Sequence, residues 1–158
     1  MSALQRSVVN EARLWLGTRF HHQGRVKATE HHQGGCDCIG LIIGVAKNLE
    51  LISPITGKPL TLYDQQGYSR YPDGVALQQA MAACLPEIAV TELEPGDILL
   101  LKFEENPQHV AIVSDYGDKL GIIHCYAQAR KVVEHGLDIS WQQRIVRAYR
   151  LIAVAEER

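Results

Sequence analysis

The sequence carries no marked excess of charge of either sign, and it contains no long hydrophobic run. Lys and Arg number 16 against 18 Asp and Glu, which gives a formal net charge of −2. Nucleic-acid-binding proteins usually present a basic patch or a strongly positive balance, so we expect no nucleic acid partner. No apolar stretch approaches the roughly 20 residues that a membrane-spanning helix needs, and we expect no membrane span.

An apolar core of the kind that signal peptides carry is also missing from the N-terminal residues. Residues 1–6 read Met-Ser-Ala-Leu-Gln-Arg and look like the start of a folded helix. We therefore expect the protein to be synthesised and first folded in the cytoplasm.

The positions of the cysteines do not suggest a disulfide scaffold. The chain has 4 cysteines, which are Cys36, Cys38, Cys84 and Cys125. Cys36 and Cys38 are too close in sequence for an ordinary structural bridge, and a chain of this size needs no such scaffold. We expect free thiols, with Cys84 and Cys125 serving as small buried apolar residues.

What the chain does contain is enough apolar sequence for one core. It has 158 residues, of which 46% are hydrophobic, so we expect a single domain over residues 1–158. Apolar residues recur at helical spacing in the first half, and short apolar runs between turns indicate strands in the second half. The expected helices are 3–16, 38–49 and 75–85, and the expected strands are 98–103, 110–114, 120–126, 130–134 and 145–153. Helices followed by an antiparallel sheet predict an α+β fold.

Residues 35–43 are the first stretch that suggests chemistry. Asp37 is a favourable N-cap residue, and an apolar helical run follows it, so Cys38 is expected in the first helical turn. The unpaired backbone N–H groups and the positive dipole end at that place favour an anion. Such an environment lowers the pKa of a thiol, which makes Cys38 a candidate nucleophile.

Two histidines are the candidate partners of this cysteine. If Gly117 and Asp118 form a two-residue turn, His109 lies diagonally across the predicted hairpin from His124; a four-residue loop places the two directly opposite. Both registers put the two imidazoles on one face of the sheet. Helix 38–49 would bring Cys38 to them if it packs on that face with its N-terminus toward the histidines.

These motifs resemble those of the NlpC-type papain-like cysteine peptidases, which cut bacterial cell-wall peptides. The family's nucleophile motif corresponds to Asp37-Cys38-Ile39-Gly40-Leu41, its turn to Pro95-Gly96-Asp97, its histidine strand to His109-Val110-Ala111-Ile112, and its next strand to Ile123-His124. The resemblance covers roughly residues 10–150 in the right order. It implies a papain-like NlpC-type fold with N-terminal helices packed on an antiparallel sheet, and with the nucleophile at the start of the core helix.

Two further stretches resemble the phage and prophage branch of that family. They are Trp15–Gly24 and Val133–Leu137, the second together with Trp141. The resemblance to this branch implies phage tail proteins as partners and action at the cell wall from a tail assembly.

The resemblance also implies roles for individual residues. Cys38 would be the nucleophile, His109 the general base and then acid, and His124 the residue that orients His109. Asp37 would bind the free amine of a peptidoglycan stem peptide, although capping the helix is an equal and compatible role. No cofactor and no metal are implied.

The substrate pocket departs from the family pattern. The family usually has a tyrosine ahead of the nucleophile, and Phe20 stands at the matching position. A tyrosine of the Pro- and Gly-rich loop expected over residues 52–74 could supply the hydroxyl instead: Tyr63, Tyr68 or Tyr71.

The sequence is also compatible with other hypotheses for the site and the function. A metal site could use six soft or borderline ligands, namely Cys36, Cys38, His21, His22, His31 and His32. A catalytically inactive tail interaction module could keep the same fold, and Cys36 could replace Cys38 as the reactive thiol. Amidase or transferase chemistry could run on the same three residues.

Overall fold

The computed structural model describes residues 1–64, 68, 74–103 and 106–152 of the chain. Within them, helices pack against an antiparallel sheet, so the predicted α+β fold is confirmed. No helix in these ranges is long and apolar enough to cross a membrane.

The three predicted long helices are present and end up to three residues earlier than expected. The helices are α1 (Ala3–Arg13), α2 (Cys38–Asn48), α3 (Val75–Cys84) and the short α4 (Ile139–Gln142), with 3-10 turns over Leu60–Tyr63 and Val90–Glu92. Ser2 begins α1 with a capping box, because its hydroxyl accepts from the Gln5 N–H and the Gln5 side chain accepts from the Ser2 N–H.

The sheet contains the predicted strands and additional short ones. The strands are β1 (Arg25–Val26), β2 (Gly35–Cys36), β3 (Glu87–Ile88), β4 (Ile98–Phe103), β5 (Asn106–Tyr116), β6 (Lys119–Cys125), β7 (Val132–Gly136) and β8 (Ile145–Tyr149). Strands β1 and β2 form a small separate ladder, and the other six are ordered β3-β8-β4-β5-β6-β7. Strand β5 begins four residues earlier than predicted, which places His109 inside the ladder with β4.

Of the two hairpin registers considered from the sequence, the structure has the one with the two-residue turn. Tyr116 pairs with Lys119, and the ladder continues to the pair Ile112 and Ile123. Gly117 has a φ of +65° whereas Asp118 has a negative φ, which fits a type II′ two-residue turn. The register therefore sets which side chains of β5 and β6 share a face.

The two faces of the large sheet carry separate apolar clusters. One cluster joins α1 and α2 to alternate strand residues such as Val110, Ile112 and Ile123. The other contains the intervening residues, among them Ala111 and Ile122, and packs under α4. Side chains on the same face of the sheet as Ala111 thus point away from α2.

Candidate active site

Cys38 lies at the N-terminus of α2, as predicted. Asp37 caps the helix by accepting a 2.8 Å hydrogen bond from the Gly40 N–H. The sulfur of Cys38 faces the backbone N–H groups of Ile39 and of Val110, the residue after His109. The start of α2 therefore abuts β5 directly beside the candidate base.

The way in which α2 meets the histidines differs from the expected docking. His109 pairs with Leu101, which belongs to the cluster on the far side of the sheet from α2. His124 lies on that same far face, since its neighbour Cys125 belongs to the α2 side. The assumption that α2 packs on the histidine face is wrong; Cys38 instead approaches β5 through the strand backbone at Val110.

The expected proximity of the two histidines is confirmed. The Nε2 atom of His109 lies 2.8 Å from the Nδ1 atom of His124, and both side chains are buried, with 2% and 0% exposure. The ring of His124 is stacked against Tyr126, with centroids 4.7 Å apart, and Trp141 meets it edge-on at 4.8 Å. These aromatic rings keep water away from the histidine pair.

A third histidine continues this arrangement. The Nε2 atom of His135 lies 2.9 Å from the Nε2 atom of His124, and its Nδ1 atom lies 2.9 Å from the Gly136 carbonyl oxygen. Sequence reasoning missed His135 as a site residue because it ended the strand at residue 134. Because β7 extends to Gly136, His135 pairs with Ile122 and lies diagonally across the ladder from His124. The sequence predicts the same diagonal relation between His109 and His124.

Burial sets the protonation of the site in the resting protein. It lowers the pKa of His109 to about 3, and it lowers that of His124 to about 2 with help from the neighbouring His109 and His135. Burial, followed by the Asp37 carboxylate, raises the pKa of Cys38 to about 12, because these two effects outweigh the N–H groups that face the sulfur. The N–H groups at the helix start do lower the pKa of Cys38, as expected, but burial and Asp37 reverse the net direction.

The carboxylate of Asp37 is fully occupied by donors of the protein itself. Its Oδ1 atom accepts from Gly40 and from Arg25, the latter at 3.0 Å, and its Oδ2 atom accepts from the Gln23 N–H at 2.9 Å and from the Tyr68 hydroxyl. Arg25 is in addition paired with Asp64 at 3.0 Å. An ammonium group of a substrate would have to displace one of these donors to reach Asp37.

The residues proposed for the substrate pocket occupy different places. Tyr68 brings its hydroxyl to Asp37, so a loop tyrosine does reach the motif ahead of the nucleophile. Phe20 packs against the apolar cluster that contains α2, and Tyr63 donates to Thr56 at 2.7 Å. Tyr71 lies outside the described residues.

The remaining alternatives find less support. In the described part of the chain, no group of three or more His, Cys, Asp and Glu side chains is arranged to hold a metal ion. Cys36 has 0% exposure, which makes it a poor candidate for the reactive thiol. Cys84 and Cys125 are buried free thiols, as predicted.

Comparison with known proteins gives matches in structure alone. No protein-family model and no curated protein matches the chain. Among solved structures, the NlpC/P60 domain of the peptidoglycan hydrolase SagA is 20% identical, with a TM-score of 0.58 over 92% of this chain and 97% of that one. An NlpC/P60 family protein from Bacillus cereus is 16% identical, with a TM-score of 0.62 over 97% of this chain, which spans 42% of that protein.

An enzyme described as an N-acetylmuramoyl-L-alanine amidase, from Bacteroides uniformis, is also similar. It is 13% identical, with a TM-score of 0.56 over 94% of this chain and 99% of that one. The helices packed on an antiparallel sheet, the cysteine at the start of α2 and these structural matches together establish that the chain has the papain-like NlpC/P60 fold.

Proposed function

We propose that the protein is a cysteine peptidase that hydrolyses amide bonds in peptidoglycan stem peptides. The observation that carries the proposal is the position of Cys38, at the start of α2 and against the backbone beside His109, which is itself paired with His124. The fold supports the substrate class, since similar structures carry the names of peptidoglycan hydrolases.

The reaction starts from a neutral thiol and a neutral imidazole. When the substrate carbonyl binds at the start of α2, the Nδ1 atom of His109 takes the thiol proton as the sulfur forms a bond to the carbonyl carbon. Backbone N–H groups at the helix start, including that of Cys38, hold the oxyanion. Collapse of the intermediate breaks the C–N bond while His109 returns the proton to the leaving amine, and water then hydrolyses the acyl-enzyme.

The sulfur of Cys38 makes no direct hydrogen bond to His109 and faces the backbone N–H groups of Ile39 and Val110 instead. Catalytic hydrogen bonds are often long before substrate binds and tighten in the complex. His109 turns its Nε2 atom to His124, which leaves Nδ1 for the thiol. His124 therefore orients the base, as a third residue does in other nucleophile–base pairs.

Digestion of purified muropeptides, followed by mass spectrometry, tests the proposal. The wild-type protein should release peptide fragments, and Cys38→Ala should release none because it lacks the nucleophilic sulfur. Cys84→Ala is the matched control: it also removes a thiol, but from the apolar side of α3. Equal product release by wild type and Cys38→Ala would refute the assignment.

Amidase activity on the bond between muramic acid and L-alanine is the second candidate, supported by the structural similarity to enzymes described as amidases. The same digest separates the two, because an amidase releases intact stem peptides whereas an endopeptidase shortens them. We also propose delivery to the cell wall within a phage tail, on the resemblance of Trp15–Gly24 to the phage branch. Co-purification of the protein with phage particles tests that delivery.

A further inference from the structure

The three histidines of the site form one chain of hydrogen bonds with a fixed outer end. The chain runs from His109 to His124 over 2.8 Å and from His124 to His135 over 2.9 Å. It ends at the Gly136 carbonyl oxygen, 2.9 Å from the Nδ1 atom of His135. A carbonyl oxygen can only accept a hydrogen bond, so the Nδ1 atom of His135 must carry a proton.

This one constraint decides the tautomer of every ring in the chain. A neutral His135 that is protonated at Nδ1 has a bare Nε2 atom, which accepts from the Nε2–H group of His124. The Nδ1 atom of His124 is then bare and accepts from the Nε2–H group of His109. The Nδ1 atom of His109 is left without a proton, which is the state that a general base for the Cys38 thiol requires.

We infer that His135 is a positioning residue of this site, which sets the tautomer of His109 through His124. The inference rests on the proposed function for its activity readout, but the tautomer itself can be measured without any substrate. The family resemblance implies the orienting role for His124 alone. The tautomer of a neutral His124 is set by the hydrogen bonds of its two ring nitrogens, and His135 is the partner whose own tautomer is fixed.

If both ring nitrogens of His135 carried a proton, the direction of the hydrogen bonds between the three histidines would be reversed. Both of its nitrogens would then donate, so His124 would have to accept at Nε2 and donate from Nδ1, and His109 would be protonated at Nδ1. The groups that face His135 are His124 on β6 and the carboxylate of Asp138 ahead of α4, and Arg144 lies over the adjacent Trp141 ring. His135 is only partly buried, whereas the His124 side chain is fully buried.

Substitutions at position 135 that differ in hydrogen-bond role test the inference. His135→Glu offers only acceptors, His135→Lys offers only donors, and His135→Leu offers neither. We expect kcat to stay within about threefold of wild type for Glu, and to fall at least about 100-fold for Lys, since a wrong tautomer costs as much as ~10⁴-fold in a serine protease triad. The kcat of His135→Leu should lie between those of the other two variants. KM should change little in all three.

The same Glu and Lys substitutions at His31, which is exposed in the loop before β2, are the matched control and should leave kcat unchanged. Equal kcat for His135→Glu and His135→Lys would overturn the inference.

Long-range ¹H–¹⁵N correlation spectra of the Cys38→Ala protein read the tautomers directly. His109 should show a protonated Nε2 atom and a bare Nδ1 atom at neutral pH, and His135→Lys should invert this pattern. If the wild-type protein releases no product from muropeptides but the spectra show the expected tautomers, the proposed substrate is wrong and the role of His135 stands. A protonated Nδ1 atom of His109 in an active wild-type protein would refute the role of His135 alone.

Discussion

Removal from water opposes charge on the Cys38 thiol and on the imidazoles of His109 and His124. Burial of a thiol without a preformed cationic partner opposes ionisation, and the nearby Asp37 carboxylate adds to that effect. Proton transfer to His109 is therefore coupled to the attack on substrate, rather than completed before substrate arrives. This distinguishes the resting site from a preformed thiolate–imidazolium pair.

Thiol alkylation measures this difference. With a pKa of Cys38 near 12, the rate of iodoacetamide labelling should rise about tenfold per pH unit from pH 6 to 9, because only the thiolate reacts. Peptide mapping by mass spectrometry assigns the label to Cys38 and separates it from the three other cysteines. A labelling plateau below pH 7 that is lost in His109→Ala would contradict a neutral resting pair.

Individual residue roles were predictable where the cause is local. Asp37 could be predicted as a cap because the N-cap preference depends on the residue and on the helix that follows it. Its complete occupation could not be predicted, since Arg25 and Tyr68 reach it from segments 12 and 31 residues away in sequence. The same holds for Trp141 over His124, which depends on the placement of α4.

At the scale of elements, α2 packs closely on Trp15, which lies in the turn after α1. A Cβ atom added at Gly44 would lie 2.1 Å from the Cζ2 atom of Trp15, whose side chain is 1% exposed. The indole N–H group of Trp15 is held by Glu11 at 3.1 Å, so the ring cannot simply turn aside. Gly44 thus sets how closely the helix that carries Cys38 packs on its neighbour.

Gly44→Ala should therefore destabilise the protein despite the higher helix propensity of alanine. Overpacking of a filled core typically costs about 1–3 kcal/mol, against a propensity gain of up to about 1 kcal/mol. Urea unfolding followed by circular dichroism measures the change in free energy of unfolding. Gly136→Ala is the control, because its Cβ atom would meet Tyr116 at an ordinary 3.8 Å. A Gly44→Ala protein as stable as wild type would contradict the packing argument.

The shared face of His109 and His124 in the hairpin of β5 and β6 could be predicted, and the docking of α2 could not. A two-residue turn and side-chain alternation fix which residues of a hairpin face each other, and both are local properties. The face on which a helix packs depends on all apolar surfaces at once, and here both faces of the sheet are apolar. The alternation of Val110 and Ala111 therefore did not indicate the face of the sheet on which α2 packs.

For the whole molecule, the buried histidines link stability to acid. The folded-state pKa values of His109 and His124 lie below the ordinary value of 6.5, so the unfolded chain binds more protons below that pH. Their contribution to stability is complete above about pH 6.5 and is lost as the pH falls toward the folded-state values. Each such histidine should cost about 1.4 kcal/mol per pH unit in that window.

Urea unfolding at pH 7.5, 6.0 and 5.0 checks this dependence. The free energy of unfolding should fall steadily below pH 6.5, well before Asp and Glu side chains with ordinary pKa values titrate. His31→Gln removes an exposed histidine and should leave the slope unchanged. A free energy of unfolding that is constant from pH 7.5 to 5.0 would show that these two imidazoles are not held neutral.

The nucleophile and its base belong to different layers of the molecule, because Cys38 begins α2 whereas His109 lies within β5. Each layer could keep its own secondary structure while shifting slightly against its neighbour, and only the alignment of both gives a competent site. Enzymatic activity is therefore more sensitive to native packing than helix or strand content is. A compact state that retains the hairpin and α2 but has loosened between them would look folded by far-ultraviolet spectroscopy and yet be inert.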